Sequence, residues 1–111
     1  VVEQQGPFAH ARALDIQING VLSHIDVDVL SQQERKALHT MKRLAADARL
    51  DARDYEYADT RAEQLRYAAV GKKRLEQLQR TILAASEQNV FTAIEVAELS
   101  VVVQQIIVGL E

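Results

Sequence analysis

The sequence has no cysteine, no tryptophan, one proline and only four glycines in 111 residues. Without cysteine there can be no disulfide, no thiolate nucleophile and no thiolate metal ligand, so the fold has to be held by its own core. The scarcity of proline and glycine removes most turn and breaker signals and predicts a few long elements. Aromatic residues are 5% of the chain, too few to supply the stacking platforms that hold single-stranded nucleic acid. Excess positive charge is also lacking. A net charge of −3 and a pI near 5.6 disfavour a partner whose main feature is a phosphate backbone. No apolar run approaches the roughly 20 residues that cross a bilayer, and no charged-then-apolar leader is legible. A soluble protein is therefore expected, with the compartment open and the cytoplasm slightly favoured.

What is present is a globular composition, 48% apolar and 26% charged, with more apolar side chains than a disordered segment carries. The length predicts a single domain over 1–111. Alanine, leucine, glutamine, glutamate and arginine dominate, and these residues lose least on entering a helix. The expected fold class is all-α, an antiparallel three- or four-helix bundle. The chain begins at Val1 and ends Leu110-Glu111, a pair commonly left by a cloning junction, which reads as a piece excised from a longer protein.

Gly6-Pro7 suits a helix entry, because proline at the first helical position gives up a hydrogen bond that would go unmade anyway. Leu14, Ile18, Val21, Leu22 and Ile25 follow at helical spacing. A rival pattern sits on the same stretch: Asn19-Gly20 between Leu14–Ile18 and the alternating Ile25, Val27 and Val29 would suit a β-hairpin. Ser31-Gln32-Gln33-Glu34 has the form of a capping box and predicts a second helix start. Leu38, Met41, Ala45, Ala48, Ala52 and Tyr55 then alternate in steps of three and four, a seam whose small alanines imply a close neighbour.

Between Asp51 and Thr60 the helix either continues to about Tyr67 or turns, with Thr60-Arg61-Ala62-Glu63 as another capping box. Gly71 is a further possible break, after which Leu75, Leu78, Ile82 and Ala85 form another seam. Asn89 is a suitable helix end, and Thr92-Ala93-Ile94-Glu95 is a third capping box. The expected helices are roughly 8–24, 31–58, 60–88 and 92–109. A faint echo of Tyr55–Leu65 in Phe91–Leu99, about 35 residues on, has the period of helix-hairpin repeats.

The last segment is the most informative. At about 100° per residue, Val96, Leu99, Val103, Ile106 and Leu110 fall on one face and Ile94, Ala97, Val101 and Val108 on nearly the opposite one. A helix apolar on two faces is either central to its bundle or shared with a second chain. In so small a domain the second option is preferred; a core-only helix, or a buried strand of Val101–Val103 with Ile106–Val108, is the alternative. Ile94, Ala97, Val101 and Val108 are the candidate partner interface, and the expected function is a protein–protein interaction module: an adaptor, chaperone or assembly domain with a protein partner or a homo-oligomer.

His10, His24 and His39 form no Glu-x-x-His or His-x-x-x-His pair, so no metal and no cofactor is expected. No glycine-rich phosphate loop or catalytic motif is legible, so the residues name no enzymatic activity and leave that question open on the side of a non-enzyme. The run His39-Thr40-Met41-Lys42-Arg43-Leu44-Ala45 resembles the H-x-[LM]-K-G-x-[SA] signature of histidine phosphotransfer domains. That resemblance implies a four-helix bundle in which exposed His39 accepts phosphate from a response regulator, with Lys42 one turn on to neutralise it. Ala62-Glu63 matches the Leu-Glu common in the family's next helix. The sequence departs where the family has glycines, at Arg43 and about Arg49. Lys72, Lys73 and Arg74, with Arg66 and Arg80, form a possible basic patch; a nucleic-acid-associated role ranks lowest because the chain is net acidic.

Overall fold

The computed structural model describes residues 6–87 and 91–110. They form four helices: α1 (Pro7–Ser23), α2 (Gln32–Tyr57), α3 (Arg61–Glu87) and α4 (Ala93–Gly109), with a short 3-10 turn at Val27–Val29 between the first two. Each helix packs on the next, and α1 closes onto α4. The contacts show that neighbours run antiparallel. Phe8 and Asp15 meet Glu56 and Arg49 in reverse order. Gly71 and Gln79 meet Leu110 and Gln104 in the same manner. The result is an up-down-up-down ring, flattened to 47 × 30 × 18 Å. Its closure distinguishes it from an open stack of helix hairpins, which the echo between Tyr55–Leu65 and Phe91–Leu99 suggested.

Local chemistry explains where the helices begin. Ser31 Oγ accepts from the Glu34 N–H (3.2 Å) while Glu34 accepts from the Ser31 N–H (3.1 Å), and Thr92 with Glu95 repeats the pair at α4. Each box satisfies two amide groups that the helix leaves open. At α3 the Thr60 hydroxyl accepts from the Glu63 N–H (3.2 Å). Helix α1 has no side-chain cap; instead the Phe8 N–H donates to Glu56 Oε1 at 3.1 Å, so the carboxylate at the end of α2 serves the positive N-terminus of α1.

Several alternatives are resolved. Asn19 and Gly20 lie inside α1, and the Asn19 amide donates to the Asp15 carbonyl (2.8 Å), so no hairpin forms. Residues 101–108 are helical, not a strand. The chain turns at 58–60, and Gly71 does not interrupt α3. Asn89 and Glu111 lie outside the described residues. Tyr55 packs against the core, whereas Tyr57 is 74% exposed.

The core contains most of the seams read from the sequence, Leu14 and Ile18; Leu38, Met41, Ala45, Ala48 and Ala52; Leu75, Leu78, Ile82 and Ala85; Leu99, Val103, Ile106 and Leu110, together with Ala11, Leu44, Ala68 and Phe91, which those seams did not include, while Val21, Leu22, Ile25, Tyr55 and Val96 are only partly buried at its edge. The α2–α3 contact is the most extensive. Within it, Gly71 has Leu110 Cδ1 3.1 Å and Asp51 Cβ 3.4 Å from the point a β-carbon would occupy, so α2 and the C-terminal cap of α4 both approach α3 where one residue has no side chain. Asp51 is the buried charged residue there, and its Oδ2 accepts from Arg74 Nη1 at 2.7 Å. Burial pushes the Asp51 carboxyl above its ordinary 3.8; Arg74 opposes this by charge and hydrogen bond, while Asp47 and Asp54 add to it.

Three substitutions test this junction. A Gly71→Val chain should lose about 1–3 kcal/mol in chemical denaturation, because the added methyl groups must displace Leu110 or spread α2 from α3; unchanged stability would show that the approach has slack. Arg74→Met should cost about 1–2 kcal/mol, below the range for a fully buried pair because the Arg74 side chain is 38% exposed. Asp51→Asn should be milder. Since the folded pKa of Asp51 is raised, its contribution to stability is complete below 3.8 and is lost as pH rises through the folded value. The Asp51→Asn variant should therefore gain stability relative to the native chain as pH is raised through that range, measured by urea unfolding at several pH values.

Candidate functional site

Helix α4 has one side sealed and one side bare. Leu99, Val103 and Ile106 are fully buried, whereas Ile94, Val101 and Val108 are 71%, 57% and 65% exposed, and Ala97 between them is exposed as well. The four residues singled out for partner contact thus lie together on the outer face, with Ile94, Val101 and Val108 seven residues apart. Seven residues is nearly two turns, so the three side chains align along about 21 Å of helix. Exposed large apolar residues elsewhere are spread over α1 to α3 and the 3-10 turn, with Leu50 and Tyr57 on α2 as the next longest row.

The C-terminal half of this face forms the floor of an open groove of about 630 Å³, lined by Val101, Gln104, Gln105 and Val108 and flanked by Pro7 and His10 of α1. The two α1 residues were not singled out from the sequence. They reach the site only because α1 closes the ring against α4, a contact between the two ends of the chain for which a one-dimensional pattern carries no signal. On the other side, Gln104 is tied to Gln79 of α3 by a 3.0 Å hydrogen bond. The outer face is therefore held between two neighbouring helices.

The five basic residues do not share one surface. Arg66, Lys73 and Arg80 recur at sevens on α3 and are exposed, but Glu76 and Glu87 lie near them on the same helix. Lys72 is half-buried, and Arg74 is turned toward α2 by its ion pair with Asp51. The Arg66 guanidinium sits 5.3 Å from the centre of the Tyr67 ring, so that aromatic face is already occupied.

His39 and Lys42 are exposed on α2 and line one side of a smaller depression with Arg35 and Leu38; Asn19, Leu22 and Ser23 of α1 form its other side. Arg43, where phosphotransfer domains have glycine, is exposed next to Lys42. Arg49, at the second glycine position, pairs with Asp15 of α1 at 3.3 Å and serves the bundle itself. Among the described residues no cluster of three or more histidine or acidic side chains could hold a metal ion, and no helix is long and apolar enough to cross a membrane. No family model, curated protein or solved structure matches the chain.

Proposed function

We propose that this chain is a helical protein–protein interaction module that engages its partner through the outer face of α4. One observation carries the reading: α4 is apolar on both sides, yet the bundle buries only one, leaving Ile94, Val101 and Val108 more than half exposed. Covering three such side chains contributes about 1 kcal/mol or more apiece toward association without strengthening the fold. The flanking side chains suit an interface: Gln104, Gln105 and Ser100 offer hydrogen bonds at the rim.

Two measurements test this. Val101→Glu should stay folded, changing stability by about 0.5 kcal/mol or less, whereas Val103→Glu, two residues away and fully buried, should unfold the domain. A benzoylphenylalanine placed at Val101 in the source cells should give a defined covalent protein adduct on irradiation, while the same group at Leu50 should not. Loss of folding in Val101→Glu, or no adduct above the Leu50 control, would overturn the reading.

A second reading is supported by the exposed His39 with Lys42 and Arg35 along the same depression. An imidazole nitrogen there can attack an aspartyl phosphate, forming a P–N bond as the P–O bond to the carboxylate breaks, with Lys42 balancing the phosphoryl charge. Mixed with a phosphorylated response regulator, the native chain should acquire acid-labile phosphate and the His39→Gln variant should not. Equal labelling of the two would end this reading.

A further inference from the structure

We infer that Asn19-Gly20 is a self-modifying site gated by the last turns of α1: when they open, the Gly20 backbone nitrogen attacks the Asn19 side chain, and the product weakens the turn that had protected it. The inference is independent of the α4 face.

The chemistry needs only water. The Gly20 nitrogen bonds to Asn19 Cγ as the Cγ–Nδ2 bond breaks, and the displaced nitrogen leaves as ammonia with the Gly20 proton. The cyclic imide that results is opened by water at either carbonyl, to aspartate or to isoaspartate, in which the main chain runs on through Cγ. Nothing is oxidised or reduced. Glycine hinders the attack least of all residues, because it has no side chain beside the nitrogen.

In the closed fold that attack is blocked. Asn19 and Gly20 lie within α1, where the Gly20 N–H is directed at the carbonyl four residues back and a helical ψ at Asn19 holds the nitrogen off the side chain. The group that must leave is also held: Asn19 Nδ2 donates to the Asp15 carbonyl at 2.8 Å and to Asp15 Oδ1 at 3.2 Å.

The same stretch is the least anchored part of α1. Ile18 is the last of its side chains to be fully buried; Val21 and Leu22 are partly buried, and Gly20, Ser23 and His24 are exposed. Outside its own helix, nothing lies within 4 Å of the point a Gly20 β-carbon would occupy. The last turn carries no basic residue to meet the negative end of the helix. It finishes in three-residue bonds, from the His24 N–H to the Val21 carbonyl and from the Ile25 N–H to the Leu22 carbonyl. Opening from Asn19 onward therefore disturbs little of the core.

Either product spoils the closed turn. Aspartate at position 19 removes the donor that Asp15 uses and sets a second carboxylate one turn away, a like-charge pair with Arg49 of α2, 3.3 Å from Asp15 Oδ2, as its nearest recorded cation. Isoaspartate adds a methylene to the main chain, so the four-residue register of α1 cannot be kept across it. Asn19 also lines the depression that holds His39 and Lys42, so the new carboxylate changes the charge of that wall.

The test compares the native chain with the same chain unfolded in urea, incubated at mildly alkaline pH, with conversion at Asn19 followed by peptide mapping and isoaspartate content. Conversion should be about tenfold or more slower in the native chain, set by how rarely the turn opens. It should be nearly independent of added urea below the unfolding transition, since local opening exposes little surface. Gly20→Ala, which sets a β-carbon beside the attacking nitrogen and strengthens the helix, should slow conversion in both states. Equal rates in native and unfolded chain would overturn the gating, and a native rate that climbs with urea in step with global unfolding would overturn its assignment to the end of α1. The modified chain, separated by its added negative charge, should lose amide-exchange protection from Ile16 to Ser23 while α2 and α3 keep theirs. Unchanged protection there would show that the product leaves the turn intact and would overturn that part of the inference.

Discussion

A ring of four helices has one interior, so each helix can bury one side and must leave the other to solvent or to another molecule. That constraint governs the arrangement. Helices α1, α2 and α3 conform to it, with Leu14 and Ile18, the Leu38–Ala52 seam and the Leu75–Ala85 seam turned inward and the apolar side chains they expose scattered among polar ones. Helix α4 does not conform, because its composition supplies apolar residues for two interiors and the bundle provides only one. An apolar outer face costs nothing to the packing of the ring, but it leaves surface exposed that a lone domain gains nothing from keeping apolar.

The ring itself depends on how closely α2 and α3 approach. Ala45, Ala48 and Ala52 on α2, with Ala68, Gly71 and Ala85 on α3, are all buried, and their small volumes bring the two long helices together. At Gly71 the gap is filled from α4 by Leu110, and the adjacent charge on Asp51 is met by Arg74. A buried ion pair is weak evidence of stabilisation, because removing the carboxylate from water offsets much of what the pair returns. The raised pKa of Asp51 has that origin: burial outweighs the cation beside it. The pair is better understood as fixing which turns of α2 and α3 face each other, since a shift by one turn would leave Asp51 buried without Arg74.

Much of this was legible in one dimension. Helix starts were readable because a capping box is a local device: Ser31 with Glu34 and Thr92 with Glu95 need only three residues between them. The seams were readable because helical burial has a period of 3.6 residues. Local pattern was ambiguous where two periods fit the same residues. Asn19-Gly20 is a good hairpin turn in isolation, yet it lies inside α1, where burying Leu14 and Ile18 with α2 and α4 outweighs a turn preference. Gly71 reads locally as a breaker; its place is decided by Leu110 and Asp51, which approach from two other helices.

The candidate interface divides along the same line. By itself the sequence determined that a helix can start at Thr92 and that, wound as a helix, the segment has two apolar faces with Ile94, Ala97, Val101 and Val108 on one of them, because periodicity and capping are properties of neighbouring residues; it left a buried strand over 101–108 open, and the structure makes that stretch helix. Only the tertiary structure decided which face is sealed, that Pro7 and His10 border the other, and that the basic residues of α3 are split between a surface stripe and an internal ion pair. Those facts depend on which helices meet, and that is settled by the volumes of side chains far apart in the chain, which local pattern does not encode.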